Sequence, residues 1–564
     1  MFKKSRSYQE PDLFKGIMPN LGERKAKLLE EPLAWHNVFY REITSAIDES
    51  IYSVLYADTG RPNSPVRQMV AMLILKEGHG WSDEQLFNAC LFDLQVMRAL
   101  GLTNLDDEVP AESTYYDFQT RLHKYKTMPG GSDLLEQSFR QLTKGQAERF
   151  KIPGKDVRMD SKLINSNIAK STRLQLVIGT ITQFFKALPN TYHSLLEAAD
   201  LLCLEELAAK PVSAHTWPLS REQKSQWFGE LGNLVLRLVH TFDESHSPGY
   251  PLLKRLLEEQ YEVSQRGTHP KDKSKIQGNS LQSPHDPDAS YRYKDSGDKK
   301  QSVQGFSANI TETCDPGALH LITDVQSGSA GTPDDQFFQP AIECTEAVTG
   351  QVENAHTDGA YNSQDNLAFV EAKNGELSWH LGAIQGSEGN FDFERTETGG
   401  LLVTDRRSGQ TQTAVPTPKS GWRIEDTPEN KSKFRYIEDT IVVNYFRRKD
   451  ILEQPLEIRN RRPNVESTIH HVFYPLDGNQ SKYRGLERNH CFVLCRCFWV
   501  NMCRVGKFLR EQTALPDPKT GNSPQIPGGN VENLQNWLFL AFSALWRPLA
   551  HHREMPGQAV CFAV

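Results

Sequence analysis

The stretch that decides the fold is K-D-V-R-M-D-S-K-L-I at residues 155–164, a strand-like run that carries Asp160. A second strand-like run ends at Asp358 within A-H-T-D-G-A-Y-N-S, residues 355–363. Glu466 lies in R-N-R-R-P-N-V-E-S-T-I-H-H, residues 459–471, which opens a long basic segment with a helical pattern. Three carboxylates brought together from two strand ends and a helix can bind a pair of hard divalent cations. Such a pair activates a water or a 3′-hydroxyl against a phosphodiester, so the three stretches predict DNA strand cleavage and transfer.

Each of these carboxylates, taken alone, also has an ordinary structural explanation. Asp160 at a strand end is typical of a turn or a helix cap, and Asp358 precedes a glycine in a common turn dipeptide. Glu466 alone would be a charge on the surface of a helix. The functional interpretation therefore depends on the motifs that accompany the three residues.

Further motifs accompany the three acidic residues along the chain. The amino-terminal part contains G-R-P-N-S-P-V-R-Q-M-V-A-M-L-I-L-K-E-G-H-G-W-S-D-E-Q-L, F-D-L-Q-V-M-R-A-L-G-L and S-T-Y-Y-D-F-Q-T-R-L. Around and after the acids lie D-S-K-L-I-N-S-N-I-A, S-P-H-D-P-D-A-S-Y-R, V-Q-G-F-S-A-N-I, T-D-G-A-Y-N-S and Y-R-G-L-E-R-N-H. With these motifs the chain resembles a DDE transposase of a bacterial insertion sequence, from the broad group with an RNase H-like core. The resemblance covers most of residues 60–170, 283–365 and 459–510.

The resemblance implies an α/β fold, in which an RNase H-like mixed sheet core carries a helical N-terminal domain, a helical insertion and a β-rich insertion. It implies a transposase that binds double-stranded DNA at the ends of the element and at the target, as a homodimer in the active complex. Asp160 would bridge two Mg²⁺ ions, or Mn²⁺ in their place, while Asp358 and Glu466 would each hold one. Two alternatives stay open: a non-catalytic DNA-binding relative and a stand-alone metal-dependent DNA nuclease.

The surroundings of Glu466 depart from the family pattern. Many relatives carry a Tyr-Arg-Glu-Lys signature, with Arg four residues before Glu and Lys seven residues after it. Arg462 keeps the arginine spacing, but Arg459 occupies the tyrosine position and Phe473 the lysine position. Glu457 and Glu487 are therefore the alternatives to Glu466.

The basic segment around Glu466 predicts a surface for the phosphate backbone. The whole chain has a formal net charge of −7, yet residues 459–510 contain ten Lys/Arg against three Asp/Glu. Cations clustered on one face are what DNA binding requires, although an ordinary solvated helix face is the alternative. The candidate DNA-binding residues are Arg459, Arg462, Lys482 and Arg484.

Composition predicts a cytoplasmic protein, and the resemblance implies a bacterial one that is associated with the nucleoid when it is bound to DNA. The apolar runs are shorter than the ~20 residues that a transmembrane helix needs, and the amino terminus turns polar at once. Nine cysteines without paired spacing argue against a disulfide framework. Four of them, from Cys491 to Cys503, lie within one apolar stretch, which favours buried packing over a zinc site.

Hydrophobic periodicity and composition divide the chain into five parts. In the first part, Ser64-Pro65 predicts one helix start and Ser82 with Gln85 predicts a capping box for the next helix. These helices predict a helix-turn-helix-like module, with a helical packing or dimerisation domain as the alternative. The predicted parts are a helical N-terminal DNA-binding domain (1–150), a catalytic core (151–165, 280–368 and 459–511), a helical insertion (166–279), a β-rich insertion (369–458), and a linker with a C-terminal helix (512–564).

Patterns within these parts predict individual elements. In the helical insertion, two apolar stripes, within residues 174–188 and 227–238, predict helices that pack together. In the β-rich insertion, the predicted strands are L-S-W-H-L-G-A-I (377–384), G-G-L-L-V-T-D (399–405) and D-T-I-V-V-N-Y-F (439–446). Pro463 predicts the first position of the helix that carries Glu466.

Overall fold

Helices build the described part of the first 150 residues. The computed structural model describes residues 1–5, 16–296, 299–384, 386, 389–397, 399–418, 421–425 and 434–514. The amino-terminal helices are α1 (Glu23–Glu30), α2 (Trp35–Phe39), α3 (Val66–His79), α4 (Asp83–Phe92), α5 (Leu94–Ala99), α6 (Glu112–Thr127) and α7 (Leu134–Phe150).

The start of α3 lies one residue later than predicted, and its surroundings are those of a core helix. Pro65 has a non-helical backbone conformation and precedes the helix, so α3 begins at Val66. Ten of its fourteen residues are buried, which assigns α3 to packing, because a helix that enters a DNA groove must expose one face. The predicted capping box of Ser82 and Gln85 at the start of α4 is confirmed.

A helical segment with its own apolar core follows the first strand, β1 (Asp156–Asn165). Its elements are α8 (Arg173–Ala187), α9 (Ala198–Ala209), α10 (Val212–Thr216), α11 (Arg221–Thr241), α12 (Tyr250–Gln260) and a hairpin of β2 (Tyr261–Ser264) and β3 (Gly267–Pro270). The two predicted apolar stripes, on α8 and α11, pack together in this core. The segment therefore buries its own apolar surface, as an amphipathic helix layer must.

A mixed six-stranded sheet unites the segments that carry the acidic residues. Besides β1 it contains β4 (Ser290–Ser296), β5 (Lys299–Thr313), β6 (Ile322–Ser329), β7 (Asn354–Thr357) and β8 (Ser378–Leu381), with α13 (Phe338–Thr349) and α14 (Gln364–Ala372) between them. The long strand β5 pairs antiparallel with β1, β4 and β6. On its other edge β1 pairs parallel with β7, and β7 pairs parallel with β8. In the order β6-β5-β1-β7-β8, the end of β7 lies beside the middle of β1, because β7 pairs with residues 156–158. Asp160 therefore lies within β1, and the prediction that it ends its strand is wrong.

The two faces of this sheet have different neighbours because side chains alternate along each strand. Val157 and Met159 of β1 pack under α13, against Phe338 and Ile342. Ile164 of the other face joins a large core that also contains residues of α3 to α7. Asp160 lies on this second face, since it is an even number of residues from Ile164.

A second, five-stranded antiparallel sheet lies between β8 and Glu466 in the chain. It consists of β9 (Phe391–Arg395), β10 (Leu401–Asp405), β11 (Thr411–Thr417), β12 (Gly421–Glu425) and β13 (Phe434–Glu438), which pair in sequence order. Two predicted strands of this region are corrected. L-S-W-H-L-G-A-I contains β8, which belongs to the mixed sheet through its pairing with β7. D-T-I-V-V-N-Y-F is helical, within α15 (Asp439–Glu453), whose Val442 and Phe446 pack on the second sheet.

Three helices complete the part of the chain that the structure describes: α16 (Leu456–Arg459), α17 (Val465–Phe473) and α18 (Leu486–Ala514). On α18, Cys495 and Cys497 are buried in the large core, as predicted for small apolar side chains. Of the predicted linker and C-terminal helix, residues from 515 onward lie outside the described residues. Within the described ranges, no helix combines the length and apolar character needed to cross a membrane.

Candidate active site

Asp160, Asp358 and Glu466 converge on the guanidinium group of Arg462. The distances from Arg462 nitrogens are 3.2 Å to Asp160 Oδ2, 3.6 Å to Asp358 Oδ2 and 3.8 Å to Glu466 Oε1. The structure thus brings together the three predicted acidic residues, which come from β1, from the residue after β7 and from the first turn of α17. Arg462 supplies the positive charge that three neighbouring carboxylates need.

Alternate residues of β1 attach the segment that leads into α17. Asp156 pairs with the guanidinium of Arg461, Arg158 donates to the Arg461 carbonyl at 3.1 Å, and Asp160 pairs with Arg462. The three β1 residues are two apart, so they share one face of the strand. This pattern explains why D-V-R-M-D and R-R-P-N-V-E, about 300 residues apart, meet at one place.

A fully buried carboxylate, Glu312 of β5, lies beneath this segment. It accepts hydrogen bonds from Arg158 Nε at 2.6 Å, Arg504 at 2.7 Å and the Thr468 hydroxyl at 2.7 Å. Burial alone would raise the pKa of Glu312, but Arg504 and Arg158 lower it to about 2. Glu312 is therefore ionised, and it connects β1, β5, α17 and α18.

Three contacts fix the turn after β7, which carries Asp358. The Oδ1 atom of Asp358 accepts from the backbone N–H of Ala360 at 2.9 Å, which caps a short 3₁₀ turn. A side chain at Gly359 would clash with the carbonyl oxygen of Ala383, so glycine is required there by close approach. Tyr361, fully buried, donates to Asn309 of β5 at 2.5 Å. The motif T-D-G-A-Y-N thus fixes the Asp358 backbone against the sheet.

Glu466 differs from the two aspartates in its exposure to solvent. Its side chain is 65% exposed, whereas the side chain of Asp358 is 32% exposed and that of Asp160 is 14% exposed. The predicted helix start at Pro463 is corrected, because Arg462–Asn464 form a 3₁₀ turn and α17 begins at Val465. Of the alternative glutamates, Glu487 pairs with Lys126 of α6 and does not join this cluster.

Burial disfavours the ionised form of Asp160 within the cluster. Desolvation raises the pKa of Asp160 to about 6, with Asp358 and Glu466 adding to the increase and Arg462 opposing it. A group of mutually repelling oxygen ligands, one of them poorly solvated, suits a divalent cation that neutralises them. The donor set therefore fits Mg²⁺ or Mn²⁺ held by Asp160, Asp358 and Glu466.

Three of the four predicted DNA-binding residues are exposed, at two places along the chain, whereas Arg462 is half-buried among the carboxylates. Arg459 is exposed at the end of α16, close in sequence to Arg462. Lys482 donates to the Gly80 carbonyl at 2.9 Å and Arg484 to the Asn167 carbonyl at 2.7 Å, and both side chains remain exposed. Their charges are therefore available to solvent while their positions are fixed by backbone contacts.

The expectation that residues 459–510 form one basic face is wrong in part. Arg496 is buried and donates to four backbone carbonyls: those of Glu77, Gly78, His471 and Val472. Arg504 and Arg461 neutralise the internal carboxylates of Glu312 and Asp156. These three arginines bind acceptors inside the protein. The sequence alone does not reveal this, because the acceptors are distant from the arginines in the chain.

A second group of potential metal ligands lies away from this cluster. Asp133, Glu136 and His490 bring their ligand atoms within 4.8 Å of one another. Lys126 pairs with Asp133 at 3.0 Å, and Arg140 pairs with Glu136. The acids already have cationic partners, so the group is a salt-bridged contact between α6, α7 and α18.

Sequence reasoning missed Arg158, Glu312 and Thr468 as parts of the site. The sequence does point to Arg158, since an arginine between two aspartates on one face of a strand needs an acidic partner there. Glu312 lies in N-I-T-E-T, where nothing distinguishes a buried carboxylate from an exposed one. Its role depends on pairing with Arg158 across two strands, which the chain order does not reveal.

Comparison with known proteins finds a match to a transposase-domain family near the amino-terminal end. Residues 28–121 match the family model described as Transposase domain (DUF772). Among solved structures, similarity is found to the cryo-EM structure of the piggyBac transposase synaptic complex with hairpin DNA, at 11% identity over 90% of this chain and 89% of that chain, with a TM-score of 0.23. A TM-score this low does not establish a common fold. No curated protein matches the chain. The match over residues 28–121 confirms the resemblance to transposases.

Proposed function

We propose that the chain is a DDE transposase of a bacterial insertion sequence, which binds the element ends and catalyses DNA strand cleavage and strand transfer. The observation that carries the proposal is the convergence of Asp160, Asp358 and Glu466 around one guanidinium. A purely structural role for these residues is disfavoured, because a largely desolvated Asp160 beside two more carboxylates costs stability. A transposase domain at residues 28–121 supports the proposal independently.

The mixed sheet is proposed to be an RNase H-like catalytic core. Three antiparallel strands, β6, β5 and β1, continue into the parallel strands β7 and β8. In this arrangement Asp160 on β1 and Asp358 after β7 come from adjacent strands, and α17 adds Glu466 from above the same face. Residues 151–165, 280–368 and 459–511 would form this core, with residues 1–150 as the DNA-binding domain.

Asp160, Asp358 and Glu466 would hold a pair of Mg²⁺ ions, which supply Lewis acidity toward the scissile phosphate when bound. Asp160 would be the most enclosed of the three ligands, since its side chain is 14% exposed. Arg462 neutralises the cluster and, on the side open to solvent, can reach a phosphate near the scissile bond. Arg459, Lys482 and Arg484 would contact the backbone of double-stranded DNA. We expect a homodimer in the active complex, in the bacterial cytoplasm at the nucleoid.

Incubation of the purified protein with Mg²⁺ and end-labelled DNA carrying candidate terminal repeats tests the proposal. A transposase gives joined products, a stand-alone nuclease gives cuts only, and a non-catalytic relative gives a shifted but intact band. Asp160→Asn should retain the shift and abolish both products. Asp365→Asn, at an exposed residue in the first turn of α14, is the matched control and should leave them unchanged. Cleavage at the normal rate by Asp160→Asn would refute the assignment of the site.

A further inference from the structure

We propose that Glu312 is a positioning residue, which fixes the segment 461–468 and thereby aims Glu466 and Arg462 at the other carboxylates. The inference rests on the proposed function, because it assigns the network beneath the carboxylates a role in metal binding and cleavage. Glu312 itself lies below the cluster and touches none of its three carboxylates in the hydrogen bonds that define its place. It acts through Arg158 and Thr468.

Glu312 anchors both ends of the segment 461–468. At the first end, its partner Arg158 donates to the carbonyl of Arg461, the residue before Arg462. At the second end, the Thr468 hydroxyl donates to Glu312 at 2.7 Å and also accepts from Arg504. Glu466 lies between these two anchors, two residues before Thr468.

The exposure of Glu466 makes this anchoring necessary. Its side chain is 65% exposed, so the surrounding protein does not enclose it, and its position depends on the backbone of α17. The buried face of α17 is otherwise apolar, with Val465, Ile469, Val472 and Phe473. Apolar contacts are non-directional, whereas the Thr468–Glu312 hydrogen bond specifies one register of the helix on the sheet.

The cost of burying Glu312 supports a role beyond stability. A fully buried ion pair with its desolvation cost is often no better for stability than an apolar replacement. A network of one carboxylate, two guanidinium groups and one hydroxyl does, however, fix the positions of Arg158, Arg504 and Thr468 relative to one another. Supporting residues of this kind around metal ligands typically contribute ~10–100-fold to metal affinity or activity.

The test removes the hydroxyl that links Glu312 to α17. Thr468→Val keeps the size and shape of the side chain but cannot donate to Glu312, while Thr468→Ser keeps the hydroxyl. Thr345→Val is the matched control, since Thr345 of α13 is equally buried and its hydroxyl bonds to that of Thr323 at 2.8 Å on the other face of the sheet. Each variant is compared with the wild type for Mn²⁺ binding by EPR titration, DNA affinity, cleavage rate at saturating DNA and amide hydrogen exchange of residues 461–473.

Thr468→Val should weaken Mn²⁺ binding and slow cleavage by about tenfold or more, with DNA affinity unchanged and faster exchange confined to 461–473. Thr468→Ser should restore both values to within about threefold of the wild type, and Thr345→Val should change neither. Normal Mn²⁺ binding and exchange in Thr468→Val, or equal losses in Thr345→Val, would overturn the positioning role. A wild type that neither binds Mn²⁺ nor cleaves DNA would instead refute the proposed function, and hydrogen exchange would still decide whether Glu312 anchors the segment.

Discussion

Replacing Asp160 by asparagine should stabilise the protein against unfolding when divalent cations are absent, although it removes a proposed catalytic group. The Asp160 side chain is only 14% exposed and faces two further carboxylates, which together with burial raise its pKa from 3.8 to about 6. Its ionised form is therefore disfavoured in the folded protein relative to the unfolded chain. Asparagine has nearly the same volume and can still accept the 2.8 Å hydrogen bond from the Ser161 amide.

The size and pH dependence of this gain follow from the two pKa values. A shift of roughly two units corresponds to about 3 kcal/mol of unfolding free energy at pH 8, and this net value already contains the attraction of Arg462. Between pH 3.8 and 6 the unfolded chain loses the proton while the folded protein keeps it, so wild-type stability falls as the pH rises. The advantage of Asp160→Asn should thus shrink to about 1 kcal/mol at pH 4.5 and vanish below pH 3.8.

Urea unfolding in EDTA and in Mn²⁺, at pH 8 and pH 4.5, measures the effect. Asp324→Asn is the matched control, because burial also raises the pKa of Asp324 to about 6, on the opposite face of the sheet beside Cys344. Both variants should be more stable than the wild type in EDTA at pH 8, but only Asp160→Asn should lose the stabilisation by Mn²⁺. An Asp160→Asn protein no more stable than the wild type under these conditions would refute the reasoning, as would a gain that is independent of pH.

Three further substitutions test other parts of the site. Arg462→Ala should slow DNA cleavage more than it weakens DNA binding, since Arg462 contacts all three carboxylates. Equal losses of cleavage and binding would mean that Arg462 only contacts the DNA backbone. The double change Lys482→Ala with Arg484→Ala should mainly weaken binding in a titration series, and reduce the log–log salt slope by up to about one unit for each phosphate that is no longer neutralised. Gly359→Ala should abolish DNA cleavage and retain DNA binding, because the added Cβ would displace the turn of Asp358 from Ala383. The control variant Gly229→Ala adds a Cβ in open space and should cleave DNA at the normal rate.

Local patterns in the sequence identify the parts of the fold that depend on neighbouring residues. A strand is predicted within residues 155–164, because alternating apolar residues there match the period of a strand, and β1 spans Asp156–Asn165. The capping box at Ser82 is predictable because both of its hydrogen bonds join residues three apart. The convergence of three distant carboxylates is predictable only through the resemblance to a family.

The errors concern features that tertiary contacts decide. D-T-I-V-V-N-Y-F has the β-branched composition of a strand, yet it is helical because Val442 and Phe446 pack one face of α15 on the second sheet. In the predicted basic face, Arg496 and Arg504 instead bind internal acceptors supplied by other elements. Charge counts along a segment cannot separate cations that face solvent from cations that neutralise buried groups.

The geometry around Arg462 also accounts for the incomplete signature near Glu466. Of the family pattern, the chain keeps the arginine and the glutamate, which contact each other at 3.8 Å and share the cluster with the two aspartates. The lysine position is Phe473, whose side chain is 4% exposed and packs in the large core. A residue at that place points into the interior, so its replacement leaves the contacts of the carboxylates intact. The retained pair is therefore the part of the signature that lies at the carboxylates, and under the proposed function a cation for the phosphate would come from an exposed position such as Arg459.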